Sequence, residues 1–209
     1  MNMPASRASS GRGRKTTQHR DKTASVYRLK VILLGTKPPV WRRVLLSGKE
    51  PLDRVHMILN CAMGWTDTHL HAFEVRGTRY SVPDPEALHE DKDERKVRLA
   101  DLPLTAGSSF YYWYDFGDGW EHRVLVEGIE PADGSVLPAC EAGRRACPPE
   151  DIGGTYGYRD FLKSPERWPE YGPAGFDPDE FDLDEIDEAL SHLPKKWEPI
   201  WQETFADFV

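Results

Sequence analysis

A run of six aromatic residues in seven leads into a Gly-Asp-Gly sequence, and the charged residues around it are the first candidates for chemistry. The Asp-Gly at 118–119 lies between strand-forming residues and indicates a two-residue hairpin turn. Counting outward from that turn pairs Asp115 with His122 and Tyr114 with Arg123, with Cβ atoms roughly 5 Å apart. A carboxylate beside an imidazole raises its basicity and fixes its tautomer, as a general base or a metal ligand requires. The alternative is a structural pair whose carboxylate accepts hydrogen bonds from the turn.

Histidines and cysteines elsewhere in the chain offer metal ligands. His69 and His71 share one face of a predicted strand, because strand side chains repeat every second residue. With His122 and a carboxylate they could hold zinc or another divalent metal ion. The alternative is that they are hydrogen-bonded core residues beneath aromatic neighbours. Cys140 and Cys147 could add thiolates, although their separation is wider than the Cys-x-x-Cys spacing of a zinc knuckle.

The segment 147–154 is a second candidate for function. Two prolines stiffen it, and two glycines permit positive φ or close backbone approach. Its adjacent carboxylates, Glu150 and Asp151, suit a metal, a cationic group or an arginine. Arg42 or Arg43 could reach this loop in a bidentate contact and bring the two halves of the chain around one cleft. The alternative for Asp151 is capping of a helix or turn.

Hydrophobic periodicity predicts the elements that position these residues. Alternation indicates strands over 26–34, 40–46, 69–75 and 78–82, in addition to the aromatic hairpin. Helical spacing follows Pro51 as far as Met63, with Gly64 as the stop, and recurs over 156–162 and 182–193. The polar stretch 83–96 is typical of a mobile loop. This order predicts an α+β fold, with a largely antiparallel or mixed sheet and helices packed on one face; a β-grasp-like core is compatible with it.

Charge and composition bound the function classes. The 209-residue chain has a net charge of −8, but residues 1–30 carry +7 and the remainder −15. We therefore expect a basic disordered arm over 1–24, followed by an acidic domain. If the chain contacts nucleic acid, we expect it to do so only through this arm. Three cysteines argue against a disulfide framework and favour the cytoplasm. No apolar run approaches the roughly 18–20 residues needed to span a membrane.

Ordered motifs give the chain a resemblance to a known family. They are Pro-Pro-Val-Trp-Arg-Arg at 38–43, Met-Gly-Trp at 63–65 with His-Leu-His-Ala-Phe at 69–73, Tyr-Asp-Phe-Gly-Asp-Gly-Trp-Glu-His at 114–122, and Cys-Pro-Pro-Glu-Asp-Ile-Gly-Gly at 147–154. Together they resemble the Ri-plasmid open-reading-frame-three-like family, over about residues 25–193. The resemblance implies one family domain over 25–193, a C-terminal tail over 194–209, and an association with plasmids and insertion elements. It implies no agreed activity. Some members are labelled as recombinases, but this sequence shows no arrangement of residues typical of a serine or tyrosine recombinase.

Two functions are therefore predicted from the sequence, with a third possibility kept open. The first is a binding module for an unknown protein, peptide or small molecule, using an aromatic-walled polar groove lined by Arg43, Trp113, Asp115, Trp120, His122, Glu150 and Asp151. The second is a metal-dependent hydrolase that uses His69, His71, His122 and a carboxylate. The third is that the hairpin only builds the core and that function lies in the termini.

Overall fold

The structure, a computed structural model, describes residues 25–84, 91–169, 171 and 176–196. The predicted basic arm over 1–24 and the tail beyond Lys196 lie outside these residues. The arm, the tail and the domain bounds therefore stay predictions.

Eight strands and three α-helices make up the described fold. In chain order they are β1 (Ser25–Leu33), β2 (Val40–Ser47), α1 (Leu52–Met63), β3 (His71–Val75), β4 (Thr78–Ser81), β5 (Lys92–Asp93), β6 (Ser109–Tyr114), β7 (Trp120–Pro131), β8 (Ala139–Arg144), α2 (Gly154–Lys163) and α3 (Leu183–Ser191). Short 3₁₀ turns lie at Glu94–Lys96, Leu99–Asp101 and Pro165–Arg167.

All eight strands form one open sheet in the order β5-β4-β3-β6-β7-β1-β2-β8. Every neighbouring pair is antiparallel except β4 with β5, which is parallel. This confirms the predicted α+β class with a largely antiparallel, mixed sheet. The two longest strands, β1 and β7, lie side by side, so the beginning and the middle of the described chain share one core.

One face of the sheet is the core and the other stays open. Along β1, Tyr27, Leu29, Val31 and Leu33 are buried, while the residues between them are half-buried. This alternation is the signature of a strand covered on one side. The helix α1 lies over the covered face with an apolar stripe that includes Val55, Ile58 and Leu59. It ends where predicted, at Gly64, whose φ of 94° suits glycine.

The aromatic hairpin forms, but its predicted register is wrong. Tyr112 lies opposite His122 and Tyr111 opposite Arg123, in place of the predicted pairs with Asp115 and Tyr114. The loop spans the five residues 115–119, because Asp115 closes it with hydrogen bonds to its carboxylate and its carbonyl. The Asp115 carboxylate accepts hydrogen bonds from the N–H groups of Gly117 (2.9 Å) and Asp118 (3.3 Å), and its carbonyl accepts from Gly119 (2.6 Å). This Asx-type closure replaces the two-residue turn that Asp-Gly favours.

The polar stretch 83–96 is also more ordered than predicted. Residues 85–90 lie outside the described part, but β5 and a 3₁₀ turn follow, and the Glu94 side chain is fully buried. Its two carboxylate oxygens lie 2.9 and 3.0 Å from Nε2 of His71. A buried carboxylate is costly without a partner, so this contact fixes the end of the stretch against the core.

Across the described residues, no helix is long and apolar enough to cross a membrane.

Candidate metal centre

Three loops meet at one end of the sheet and bring three ligand-type side chains together. His69 comes from the segment between α1 and β3, Asp115 from the β6–β7 turn, and Asp151 from the loop before α2. The Nε2 atom of His69 lies 3.2 Å from Oδ1 of Asp151 and 3.7 Å from Oδ2 of Asp115. One ligand atom from each residue lies within 4.8 Å of the other two.

Both aspartates reach the histidine from an unusual backbone conformation. Asp115 has φ 54° and Asp151 has φ 59°, in the left-handed region that residues with a side chain rarely adopt. Aspartate tolerates this region better than most residues, but such positions still concentrate at functional sites. The fold therefore maintains two strained residues whose carboxylates converge on one imidazole.

The segment 65–70, which carries His69, is held at every residue. Trp65 Nε1–H donates to the Pro148 carbonyl (3.0 Å), and the N–H and hydroxyl of Thr66 both donate to the Glu150 carboxylate. Asp67 Oδ1 lies 2.6 Å from Nε2 of His56, and the Thr68 N–H donates to the Tyr114 hydroxyl (3.1 Å). His69 contacts Asp115 and Asp151, and the Leu70 carbonyl accepts a hydrogen bond from the Asp115 N–H (2.9 Å). A loop fixed by contacts from each residue presents its ligand in one geometry, which is the preorganisation that binding and catalysis need.

Glu150 and Asp151, the adjacent carboxylates noted in the sequence, point to different tasks. Glu150 accepts hydrogen bonds from Thr66 and from the Tyr114 hydroxyl (2.5 Å), so it holds the His69 segment in place. Burial, together with the Glu150 carboxylate, raises the pKa of Tyr114 well above its ordinary value, so this hydroxyl stays a donor. Asp151 instead has a side chain that is 67% exposed and faces the ligand group.

A glycine lets the two acidic loops touch. A Cβ atom added to Gly154 would lie 2.2 Å from the carbonyl oxygen of Asp118, so only glycine allows this approach. Its φ of 64° also favours glycine. The Asp118 carboxylate accepts a hydrogen bond from the Gly153 N–H (3.1 Å) and completes the junction between the hairpin turn and α2.

The arrangement has the properties of an open metal site. His69 Nε2 is shielded from solvent, and in the described part of the chain it has no hydrogen-bond partner of good geometry. An imidazole nitrogen and two carboxylate oxygens suit Zn²⁺ or Mn²⁺. Two aspartates would balance a divalent charge, and three protein ligands would leave positions for water or substrate, as catalytic sites do.

A second histidine cluster lies deeper and was not found from the sequence. The rings of His56 and His71 stack with centroids 3.3 Å apart and planes 4° from parallel. Burial and the neighbouring His71 lower the pKa of His56 to about 3, so His56 stays neutral at physiological pH. A metal midway between two parallel, overlapping rings would lie far out of both ring planes, where imidazole lone pairs do not point. We therefore interpret the stack as a structural support, although one carboxylate oxygen of Asp67 lies within 4.8 Å of a ring nitrogen of each histidine.

The structure does not bring the predicted groove residues to one surface. Trp120 and His122 are fully buried on the covered face of the sheet, where Nδ1–H of His122 donates to the Tyr112 carbonyl (3.2 Å). Trp113 and Arg43 lie on the open face, because strand side chains alternate. Only Asp115, Glu150 and Asp151 of the predicted set meet, at the loop end.

The predicted metal histidines also separate. His69 lies with Asp115 and Asp151, His71 with His56 and Glu94, and His122 beside Trp65 with ring centroids 5.3 Å apart. The separation follows from β3, which begins at His71 and leaves His69 in the loop. The expected alternation of a longer strand therefore does not apply.

The predicted arginine pairs with the Glu150–Asp151 loop are wrong. Arg43 forms its ion pair with Glu127 on the open face, with Nε 2.5 Å from Oε2. Arg42 is buried and donates hydrogen bonds to the carbonyls of Ala62 (2.9 Å), Trp41 (3.0 Å) and Arg144 (3.2 Å). Ala62 lies in the last turn of α1, so Arg42 compensates the negative end of that helix dipole.

The cysteines do not contribute to the metal centre. Cys61, Cys140 and Cys147 are free thiols. Burial raises the pKa of Cys140 to about 11 and that of Cys147 to about 12, and neither group of ligand-type side chains that the described residues bring together contains a cysteine.

The family model of the plasmid pRiA4b ORF-3-like proteins matches residues 25–185, which is most of the chain. The chain belongs to this family.

Similar proteins agree in sequence and fold. The pRiA4b ORF-3-like chain is 39% identical over 184 residues to the uncharacterized protein y4hQ of Sinorhizobium fredii, covering 83% of the chain and 95% of that protein. It is also similar to the crystal structure of MM3350, a protein of unknown function from Methanosarcina mazei Go1. The TM-score is 0.70 at 31% identity, over 77% of this chain and 96% of MM3350. The family resemblance noted in the sequence is thereby confirmed. Neither of these two relatives has a described activity.

Proposed function

We propose that this pRiA4b ORF-3-like protein binds one divalent transition metal ion through His69, Asp115 and Asp151 and acts as a metal-dependent hydrolase. The observation that carries the proposal is the convergence of these three side chains from three separate loops, with Nε2 of His69 3.2 Å from Asp151 and 3.7 Å from Asp115. Of the two functions predicted from sequence, this is the second, with a changed ligand set. The cytoplasm is the expected compartment, because all three cysteines are free thiols.

The chemistry follows from the ligand number and the exposure. A divalent ion held by three protein ligands polarises a bound water or a carbonyl oxygen and lowers the pKa of that water toward neutrality. Asp151 is largely exposed, while Asp115 is 9% and His69 26% exposed and its Nε2 atom is shielded, so the open positions would lie on the Asp151 side of the ion. Hydrolysis is therefore the reaction class that the arrangement suits best.

Titration calorimetry with Zn²⁺ and with Mn²⁺ tests the proposal, using tag-free protein freed of metal by a chelator. We expect one ion per chain, and roughly 100-fold weaker binding after His69→Ala or Asp151→Asn. Asp133→Asn is the matched control, because Asp133 is an exposed loop carboxylate that accepts hydrogen bonds from Ser135. Wild-type affinity in both ligand variants would overturn the site.

One specific observation, on the open face of the sheet, favours the first predicted function, a binding module. Tyr111 and Trp113 stack there with centroids 5.7 Å apart, and Trp41 lies beneath Lys30 (4.4 Å) and Arg43 (5.5 Å). Such aromatic and cationic surfaces suit protein or peptide partners. We propose this face as the second candidate. A partner retained by the wild-type chain but not by a Trp41→Ser, Trp113→Ser double variant would support it, and identical retention would contradict it.

A further inference from the structure

We infer that two copies of this chain bind each other through the open face of the sheet and form a symmetric sandwich of two sheets. This inference rests on the second candidate function, since it identifies the partner of the binding module as a second copy of the chain. It does not involve the metal centre. The cross-strand register and the charges that this register places on the open face carry the inference.

The open face carries opposite charges on its two sides. The boundary lies between β7 and β1, with β3, β6 and β7 on one side and β1, β2 and β8 on the other. The first side has four carboxylates against one guanidinium, a net charge of −3, from Glu74, Glu121, Arg123, Glu127 and Glu130. The second side has four cations against one carboxylate, a net charge of +3, from Arg28, Lys30, Arg43, Glu141 and Arg144. A face divided in this way is complementary to a second copy of itself.

Alternation and ion pairs place these side chains on the open face. In β1, Arg28 and Lys30 alternate with residues that are buried on the covered face. Arg28 lies 2.8 Å from Glu130 on one neighbouring strand and 2.8 Å from Glu141 two strands away on the other side. Side chains from β7, β1 and β8 therefore meet on the same surface.

One row of cross-strand neighbours shows how two copies fit together. From β3 to β8 the row consists of Glu74, Tyr111, Arg123, Ile32, Trp41 and Arg144. A two-fold axis that is parallel to the strands and passes between Arg123 and Ile32 superimposes this row on its own reverse. Glu74 of one copy then faces Arg144 of the other, and Tyr111 faces Trp41. The interface therefore contains an opposite-charge pair and an aromatic pair twice each.

The charges also select this axis over the alternative. A two-fold axis that runs across the strands would lay β3 on β3 and β8 on β8. Carboxylates would then face carboxylates and cations would face cations, which costs binding energy. The axis parallel to the strands is the one that brings the acidic side of each copy onto the basic side of the other.

The face is large enough for a stable dimer. Its six strands average about eight residues in length. At about 4.8 Å between strands and about 3.3 Å per residue, they cover roughly 700 Å². A standard protein interface buries about 800 Å² per partner, so the two areas agree.

Two charge-reversal variants of the full, tag-free chain test the inference by sedimentation equilibrium. The acidic variant, Lys30→Glu with Arg144→Glu, makes both sides of the face negative. The basic variant, Glu74→Lys with Glu121→Lys, makes both sides positive. We expect about twice the single-chain mass of 23.8 kDa for wild type and the single-chain mass for each variant alone. An equimolar mixture of the two variants should regain the doubled mass, because every side then faces its opposite charge.

Glu185→Lys with Glu188→Lys is the matched control and should dimerise as wild type does. Both residues are exposed on α3, and the control changes the net charge by as much as the basic variant does. The four reversed positions leave the intrachain ion pairs of Arg28 and Arg43 intact. Recovery of the dimer in the mixture also shows that both variants are folded.

Three results would each overturn the inference: a wild-type chain with the single-chain mass, variants that keep the doubled mass, or a mixture that does not regain it. If wild type has the single-chain mass but retains a partner protein that the Trp41→Ser, Trp113→Ser variant loses, the inference fails and the binding module stands. If wild type has the single-chain mass and retention is identical in that variant, both fail.

Discussion

Nε2 of His56 lies 2.6 Å from Oδ1 of Asp67, and this contact ties the buried helix α1 to the segment that carries His69. The Tyr112 hydroxyl lies 2.8 Å from Nδ1 of the same ring. Since His56 is neutral, the Tyr112 hydroxyl donates to Nδ1 and Nε2–H donates to the Asp67 carboxylate. Asp67 has φ 62°, so this hydrogen bond also stabilises a strained residue two positions before the proposed ligand.

Replacing His56 should therefore weaken metal binding although His56 is not a ligand. We expect His56→Phe to lower Zn²⁺ affinity roughly tenfold or more, as loss of an outer-shell contact does. His56→Gln should retain more of the affinity, because its amide can donate to Asp67. Calorimetry at a temperature where each variant is folded measures the difference. Val126→Ala serves as a control for lost core stability, and wild-type affinity in His56→Phe would contradict the positioning role.

Gly154 should be irreplaceable for a geometric reason. Gly154→Ala would place a Cβ atom 2.2 Å from the Asp118 carbonyl and force the hairpin turn and the α2 loop apart. We expect a loss of about 2 kcal/mol or more in the free energy of unfolding, with weaker Zn²⁺ binding. Gly107→Ala is the control, because Gly107 also has a positive φ (86°) but open space around its Cα. If urea denaturation showed the same loss of unfolding free energy in both variants, the close approach of Gly154 to the Asp118 carbonyl would not explain the requirement for glycine.

The two neighbouring arginines of β2 should differ in their effect on stability. Arg42→Met removes donors from three carbonyl groups in a buried site, and we expect a loss of about 3 kcal/mol. Arg43→Met removes a half-exposed ion pair with Glu127 and should cost about 1 kcal/mol or less. Urea unfolding of both variants at pH 7 gives the comparison. A larger loss from Arg43→Met would contradict the assignment of buried and open faces.

His122 should make stability depend on pH. Burial lowers the pKa of His122 to about 4, below its unfolded value of about 6.5. Between these values the unfolded chain binds more protons than the folded chain, so the stabilisation is complete above pH 6.5 and is lost as the pH falls toward 4. The effect approaches about 3 kcal/mol, and His56 acts in the same direction.

The pH dependence is measured as the difference in unfolding free energy between wild type and His122→Leu from pH 4 to 8, without metal. Taking the difference removes the titration of the carboxylates. Val124→Ala, a core substitution that removes no titrating group, is the control and should lower the unfolding free energy by a similar amount at every pH. A His122→Leu curve parallel to wild type would show that the pKa of His122 is the same in the folded and the unfolded chain, and would contradict the prediction.

The sequence predicts the elements well where one pattern dominates. Burial of a single face produces both the alternation of β1 and the helical stripe between Pro51 and Gly64. Both elements therefore form as predicted. The hairpin also forms, but its register depended on a competition between the Asp-Gly turn and an Asx-type turn closed by Asp115. Turn propensity alone cannot decide that competition.

The candidate site could be predicted only in its parts. His69, Asp115 and Asp151 were each named as candidates, but as members of different groups, because the meeting of three loops is a tertiary property. His56 and Glu94 were missed, since a histidine within an apolar helix stripe and a glutamate within an acidic stretch look ordinary. The only sequence signal for His56 was a polar residue between Val55 and Met57, in the buried helix.

The most direct test of the metal centre is a crystal structure of the Zn²⁺-loaded protein with diffraction data collected on both sides of the zinc absorption edge. The proposed function predicts one anomalous peak per chain, about 2.0–2.2 Å from Nε2 of His69, Oδ2 of Asp115 and Oδ1 of Asp151. A fully occupied zinc bound instead by His56 and His71, or crystals with no anomalous peak at His69 under saturating zinc, would contradict it.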